Sequence, residues 1–237
     1  MFAFVIATKR IAKASVDFLF PRQCIGCGKV GDFLCKKCCQ ELPRILPPQC
    51  QKCGKSEPTG FLCPSCWGWQ SQIDGIRSPF RFEGIVREVV HALKYRNFRA
   101  LSEPMAVLMA DYLRSNSIPG NILVPVPLHY RRLKERGYNQ SGLLVRELGK
   151  VVGLPVLYNV LHRVKDSSPQ VRAASVTERY QNVKDAFVCK SSDEIAGKAV
   201  LLVDDVCTSG ATLEACASVL KSAGAASVWG LTFAHEV

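Results

Sequence analysis

No feature of this 237-residue chain restricts its folding more than four Cys-x-x-Cys pairs between residues 24 and 66: Cys24/Cys27, Cys35/Cys38, Cys50/Cys53 and Cys63/Cys66. Two intervening residues let the backbone turn so that both thiolates face one tetrahedral ion, and two such knuckles complete a four-thiolate shell. Gly26, Gly28 and Gly54 stand within or just after the knuckles, where a tight turn favours a residue without a Cβ. Disulfides and iron–sulfur clusters are the competing uses of such cysteines. With no export signal in the sequence, a reducing compartment and zinc are the expectation. Sequential pairing gives one site from Cys24, Cys27, Cys35 and Cys38 and a second from Cys50, Cys53, Cys63 and Cys66. Interleaved pairing satisfies the spacing equally, and Cys39 competes with Cys38 as a ligand. In either arrangement four thiolates close the shell, so about two zinc ions are expected to be structural, with no position left for an activated water. A segment of about fifty residues with few large apolar side chains needs that metal in order to fold.

The formal charge of +11 counts every cysteine as neutral. Eight thiolates and two Zn²⁺ would lower it to about +7. That balance suits phosphate-rich partners, whether nucleotide, pyrophosphate or nucleic acid, and equally suits plain solubility. Lys29, Lys36, Lys37, Lys52 and Lys55 read in the same two ways, as nucleic-acid contacts or as solvated surface. The opening run Met1 to Ala7 is apolar but too short to span a bilayer, and Lys9, Arg10 and Lys13 follow it rather than precede it. The expectation is a cytoplasmic protein with no membrane span. Residues 1–21 read as an amphipathic helix whose Ile6, Ile11, Val16 and Phe18 to Phe20 pack on the cysteine-rich module; a membrane-surface helix is the alternative.

After the cysteine-rich module, taken as 22–72, no cysteine recurs until Cys189, and apolar strands alternate with helical periodicity over 73–237. Residues 77–82 read as a strand, 85–96 as a helix and 102–114 as a second helix capped by Ser102. Strand 122–126, a polar loop held extended by Pro-x-Pro, and helix 141–152 follow. Strand 154–161, a short helix opened by a capping box at Ser175 and ending near Phe187, strand 199–203, helix 212–223 and strand 227–233 complete the pattern. Such alternation predicts a mostly parallel sheet with helices on both faces, whose ligands collect at the carboxyl ends of the strands.

The apolar run Val200 to Val203 ends in Asp204 and Asp205, and Thr208-Ser-Gly-Ala-Thr212 then leads into a helix. Adjacent acids at a strand end can hydrogen-bond a cis-diol, and backbone N–H groups at a helix N-terminus make an anion site. Gly210 would let the backbone approach a phosphate closely. Cys207 has no His or Asn partner nearby in the sequence and reads as filler rather than as a nucleophile. Upstream, residues 124–140 are dense in cations. Arg132 and Arg136 offer planar forks for a diphosphate, while Asn139 and Gln140 either meet a base or fix the loop.

Residues 200–212 resemble the PRPP-binding loop of type I phosphoribosyltransferases. That resemblance implies that Asp204 and Asp205 hold ribose hydroxyls with Mg²⁺ nearby, and that Thr208, Ser209, Gly210, Ala211 and Thr212 hold the 5-phosphate. Together with the four knuckles, Leu93-Lys-Tyr95 and Arg136-Gly-Tyr-Asn-Gln140, the chain resembles the ComF family over essentially its whole length. Gln170, Arg179, Asn182 and Phe187 also fit that family, while Ser167 and Ala173 depart from the threonine and leucine expected there. The resemblance implies a type I phosphoribosyltransferase-like domain behind a double zinc ribbon, and a role in competence, handling incoming single-stranded DNA with a helicase partner. Tyr95, Tyr130, Tyr138 and Trp67 or Trp69 stand near cations and could stack on bases. Two functional readings follow. One is a phosphoribosyl transfer in which pyrophosphate leaves against Arg132 and Arg136, with the acceptor and the general base unidentified. The other is a non-catalytic adaptor that keeps the fold to bind nucleic acid or a regulatory nucleotide.

Overall fold

In the computed structural model the described residues are 21–165, 183 and 185–236. The expected N-terminal helix lies outside them except for Pro21, as do the capping box at Ser175 and the positions Ser167, Gln170, Ala173, Arg179 and Asn182. The chain divides into two compact units, Met1–Leu42 and Pro43–Val237. In the first unit an antiparallel bridge, Gln23 to Val30, closes the first knuckle, and a short helix α1 (Lys36–Gln40) carries Cys38.

The second unit is built on a five-stranded parallel sheet. Its strands are β1 (Gly75–Arg77), β2 (Phe80–Arg81), β3 (Ile122–Pro125), β6 (Ala199–Cys207) and β7 (Ser227–His235). The order is β1-β7-β6-β3, with β2 also on β7. Register runs from Ile122 opposite Val200 and from Ala199 opposite Ser227. Val200 to Val203 are at most 1% exposed, as expected of a parallel strand covered on both faces. The helices are α2 (Gly84–Tyr95), α3 (Ser102–Ser115), α4 (Tyr130–Arg136), α5 (Gln140–Val152), α6 (Ser192–Ile195) and α7 (Ala211–Ser222). In α2 the buried face is Val86, Val89, Val90 and Leu93, the helical spacing read from the sequence. Helices α3 and α5 pack together, and α7 packs against β6 and β7. No helix among the described residues is long and apolar enough to cross a membrane.

Several elements differ from expectation, each for a local reason. The strand read over 77–82 is two strands, because Pro79 has no N–H to give to the ladder. Both pieces pair with β7, and the Ser78 and Thr232 hydroxyls meet at 2.6 Å across the gap. Ser102 does not cap α3; a 3₁₀ turn, Arg99–Leu101, runs into the helix and the Ser102 hydroxyl donates to the Arg99 carbonyl at 2.8 Å. The basic loop after β3 coils into α4 and stops at Gly137 in the left-handed conformation. The strand expected over 154–161 reduces to one bridge, Val156 to Leu123. The next strand is β4 (Leu161–Arg163), which pairs antiparallel with β5 (Phe187–Cys189) where a helix end was expected. Finally, β6 continues four residues beyond Val203, through both acids.

Candidate functional site

The cysteines resolve the pairing question. Cys24, Cys27, Cys35 and Cys38 form one cluster, and Cys50, Cys53, Cys63 and Cys66 a second, with the thiol sulfurs of each cluster within 4.8 Å of one another. Pairing is therefore sequential, and Cys38 rather than Cys39 completes the first set. Both clusters fit a four-thiolate zinc shell. The two ribbons repeat one construction. Gly28 N–H donates to Cys24 O at 2.8 Å and Gly54 N–H to Cys50 O at 3.0 Å, each glycine left-handed, and the amides of Cys35 and Cys63 point at the sulfurs of Cys24 and Cys50. The repeat is visible afterwards in Cys27-Gly-Lys29 and Cys53-Gly-Lys55. The clusters differ in enclosure: all four ligands of the second are at most 7% exposed, whereas Cys27 in the first is exposed.

The second ribbon belongs to the unit that carries the sheet, and it is fastened there by polar contacts. Ile76 N–H donates to Lys52 O at 2.7 Å, and the Lys52 ammonium donates to the Ile73 carbonyl. Glu214, in the first turn of α7, accepts from the Ser71 hydroxyl and the Gln72 N–H, each at 2.7 Å. The ribbon's exit is thereby tied to the helix that follows β6 and the turn at Thr208 to Gly210.

At the carboxyl end of β6 the two acids have separate surroundings, because neighbours on a strand point to opposite faces. Asp204 accepts from the Ser141 hydroxyl at 2.7 Å and from the Asp205 N–H at 2.8 Å. Asp205 is buried, its Oδ1 is 2.7 Å from the Lys94 ammonium, and its Oδ2 has no hydrogen-bond partner among the described residues. Burial and the adjacent Asp205 charge raise the Asp204 carboxyl to about 7, against the opposing pull of Lys94 and the Ser141 hydroxyl. For Lys94, burial opposes the charge, but Asp205 outweighs it and the ammonium's pKa is raised. Lys94 and Ser141 were not legible as partners of the acids. For Lys94 the signals were its place in Leu93-Lys-Tyr95, one of the stretches that carry the family resemblance, and a cation at the end of an otherwise apolar helix face.

From Cys207 the chain turns through exposed Thr208 and half-buried Ser209 to Gly210, which starts α7 at φ 80°. Ala211 and Thr212 supply first-turn N–H groups, the feature that makes a helix start an anion site. Gly210 is needed for its conformation and its neighbours: a Cβ there would lie 3.1 Å from Ile76 Cδ1 and 3.6 Å from Trp69 Cη2. Gly210→Ala is expected to cost about 1–2 kcal/mol in urea unfolding; an unchanged midpoint would contradict this. Cys207 is buried, and burial, then the Asp204 charge, push its thiol up to about 12, which removes it as a nucleophile near neutrality.

Of the basic segment, Arg136 donates to Gln140 Oε1 at 2.6 Å and lies 5.4 Å from the Tyr95 ring centre. Arg132 stands one turn earlier on α4, half-buried. Asn139 caps α5 by accepting from Ser141 N–H at 3.1 Å and donates to Val126 O at 2.9 Å, so it fixes the turn. Gln140 is buried beside it. Tyr138 is buried too, with its hydroxyl on the Leu93 carbonyl, and is no stacking platform. Tyr95, Tyr130 and Trp67 are 71%, 64% and 79% exposed.

Residues 15–73 match the family model of the double zinc ribbon domain, and residues 133–234 that of the phosphoribosyl transferase domain. Competence protein F of Haemophilus influenzae is 32% identical over 218 residues, covering 88% of this chain and 89% of that protein. The chain belongs to the ComF family. Competence protein ComFC of Bacillus subtilis is 28% identical, with 86% and 85% covered, and the DNA utilization protein YhgH of Escherichia coli K12 is 26% identical, with 80% and 85% covered. This ComF-family chain thus joins a double ribbon, whose two cysteine clusters fit two structural zinc ions, to a type I phosphoribosyltransferase-like sheet.

Proposed function

We propose that this ComF-family protein binds PRPP or a closely related sugar phosphate, with Mg²⁺, at residues 204–212, and that it acts in the cytoplasm in handling single-stranded DNA during DNA uptake. One observation carries the first part: a buried strand delivers two carboxylates to its carboxyl end and turns through a left-handed glycine into a helix start within five residues. The carboxylates suit ribose hydroxyls and a hydrated Mg²⁺, and the helix start suits the 5-phosphate. Arg136, which donates to Gln140 next to Ser141, is the guanidinium this reading assigns to the diphosphate, with Arg132 one turn away. What the residues contribute to transfer is orientation and charge complementarity; among the described residues no side chain is a defined general base.

The DNA part draws on the names of the relatives, which are competence and DNA utilization proteins. It also draws on exposed aromatic side chains with cations beside them, Tyr95 with Arg136 at 5.4 Å and Tyr130 with Arg131 at 5.9 Å. A helicase that feeds or follows the strand is the partner this role calls for. The double variant Asp204→Asn, Asp205→Asn is expected to weaken Mg·PRPP binding by at least about a hundredfold while leaving single-stranded DNA affinity within about twofold at two salt concentrations. Loss of both would place DNA in the sugar-phosphate site, and retained PRPP binding would contradict the assignment.

A further inference from the structure

Between the turn that follows β6 and the second ribbon, the sheet's carboxyl edge opens on a cleft of about 600 Å³. One wall is the loop, at Thr208 and Ser209, continued by His235 at the end of β7; the facing wall is the second ribbon, with Lys55, Trp67 and Trp69. Among the described residues Trp67 is the most exposed large apolar side chain, at 79%. An indole left in water at the mouth of a cleft is a stacking surface without its partner. Trp69 reaches further in, its ring edge beside Gly210 and the Lys52 ammonium 5.9 Å from its ring centre. His235 is 1% exposed, and its Nδ1 has no hydrogen-bond partner among the described residues. Burial, then the Lys55 charge, lower its pKa to about 4, so the imidazole is neutral. The wall is not a loose flap, because Glu214 fastens the ribbon's exit to α7.

We infer that this cleft binds a planar nitrogenous base, stacked on Trp67 and edged by Trp69 and His235, so that the second zinc ribbon acts as the base-recognising wall of the phosphate-loop site. Apolar faces for a ring, a neutral imidazole for its polar edge and a phosphate loop alongside together describe a nucleotide. The inference rests on the sugar-phosphate reading only for the position of the phosphate; the ring surface is independent of it.

The probes are ribose 5-phosphate and AMP, read by calorimetry and by tryptophan emission, since two of the three tryptophans of the chain line the cleft. AMP is expected to bind about tenfold or more tighter than ribose 5-phosphate and to quench emission, which the sugar phosphate does not. Trp67→Ala should bring AMP down to the affinity of ribose 5-phosphate without changing the latter or the content of two zinc ions. Equal affinities in the unaltered protein, or tight AMP binding indifferent to Trp67→Ala, would overturn the inference. If ribose 5-phosphate fails to bind but AMP still quenches through Trp67, the ring site stands and the sugar-phosphate reading falls; silence from both removes both. Competition by a 5′-hydroxyl thymidine oligomer would assign the ring to a DNA strand, and absence of competition to a free nucleotide.

Discussion

Replacing Lys94 by alanine is expected to destabilise the protein by about 3–5 kcal/mol, because it strands a carboxylate that is 3% exposed on its side chain and leans on one ammonium at 2.7 Å. The other oxygen of Asp205 has no partner among the described residues, so nothing nearby takes over the charge. Removing both charges differs from removing one. Asp205→Asn in the Lys94→Ala background should recover about 2 kcal/mol or more of the loss, the coupling that a double-mutant cycle in urea reads directly. A cost below about 1 kcal/mol for Lys94→Ala, or strict additivity, would show that the pair does not hold the end of β6 in place.

Loss of the second zinc site should do more harm than loss of the first. Zinc in small ribbons supplies on the order of 10 kcal/mol of folding free energy, and here its consequences follow from what each ribbon is attached to. Cys50, Cys53, Cys63 and Cys66 lie in the same compact unit as the proposed phosphate loop, with Lys52 bound to β1 and the 71–73 segment bound by Glu214 of α7. Cys53→Ser is expected to lower zinc content from about two to one, shift tryptophan emission to the red as Trp67 and Trp69 lose their frame, and weaken Mg·PRPP binding by about tenfold or more. Cys27→Ser, in the separate first unit, should remove one zinc with PRPP binding unchanged. Equal effects of the two substitutions would contradict this asymmetry.

What was legible beforehand follows from how local each determinant is. The knuckles and residues 200–212 are contiguous patterns: the cysteines form the sequential one of the two pairings the spacing allowed, and a strand and a helix flank Thr208 to Gly210, with the strand four residues longer than expected. Helices α2, α5 and α7 were readable because one buried face repeats at helical spacing. The short strands β4 and β5 were not, since each exists only through its partner across a long sequence separation. The basic segment 130–136 was misjudged because Pro-x-Pro before it was taken to hold it extended, whereas only the prolines' own surroundings stay open and the helix begins just after them. The contacts that complete the site, Lys94 with Asp205, Ser141 with Asp204 and Glu214 with residues 71–73, join distant parts of the chain, and no window of sequence displays them. Lys94 carried the faintest clue, a cation at the end of an apolar helix face.

Calorimetric titration of Mg·PRPP into the full chain, from about pH 5.5 to 8.5, tests the sugar-phosphate site most directly. On the proposed reading Asp204, raised to about 7 by burial and by Asp205, meets the ribose hydroxyls best as the carboxylate, the stronger acceptor. Its protonation therefore opposes binding below that pH. The sign in the free protein is opposite: a carboxyl whose folded pKa lies above its unfolded value loses stability as pH rises toward 7, and ligand binding then draws on the ionised form. One saturable site per chain is expected, with affinity rising by up to about tenfold per pH unit below 7 and levelling above it. Asp204→Asn should bind weakly and without that rise, which separates it from titration of the ligand's own phosphates. Absence of saturable Mg·PRPP binding across the whole range would contradict the site.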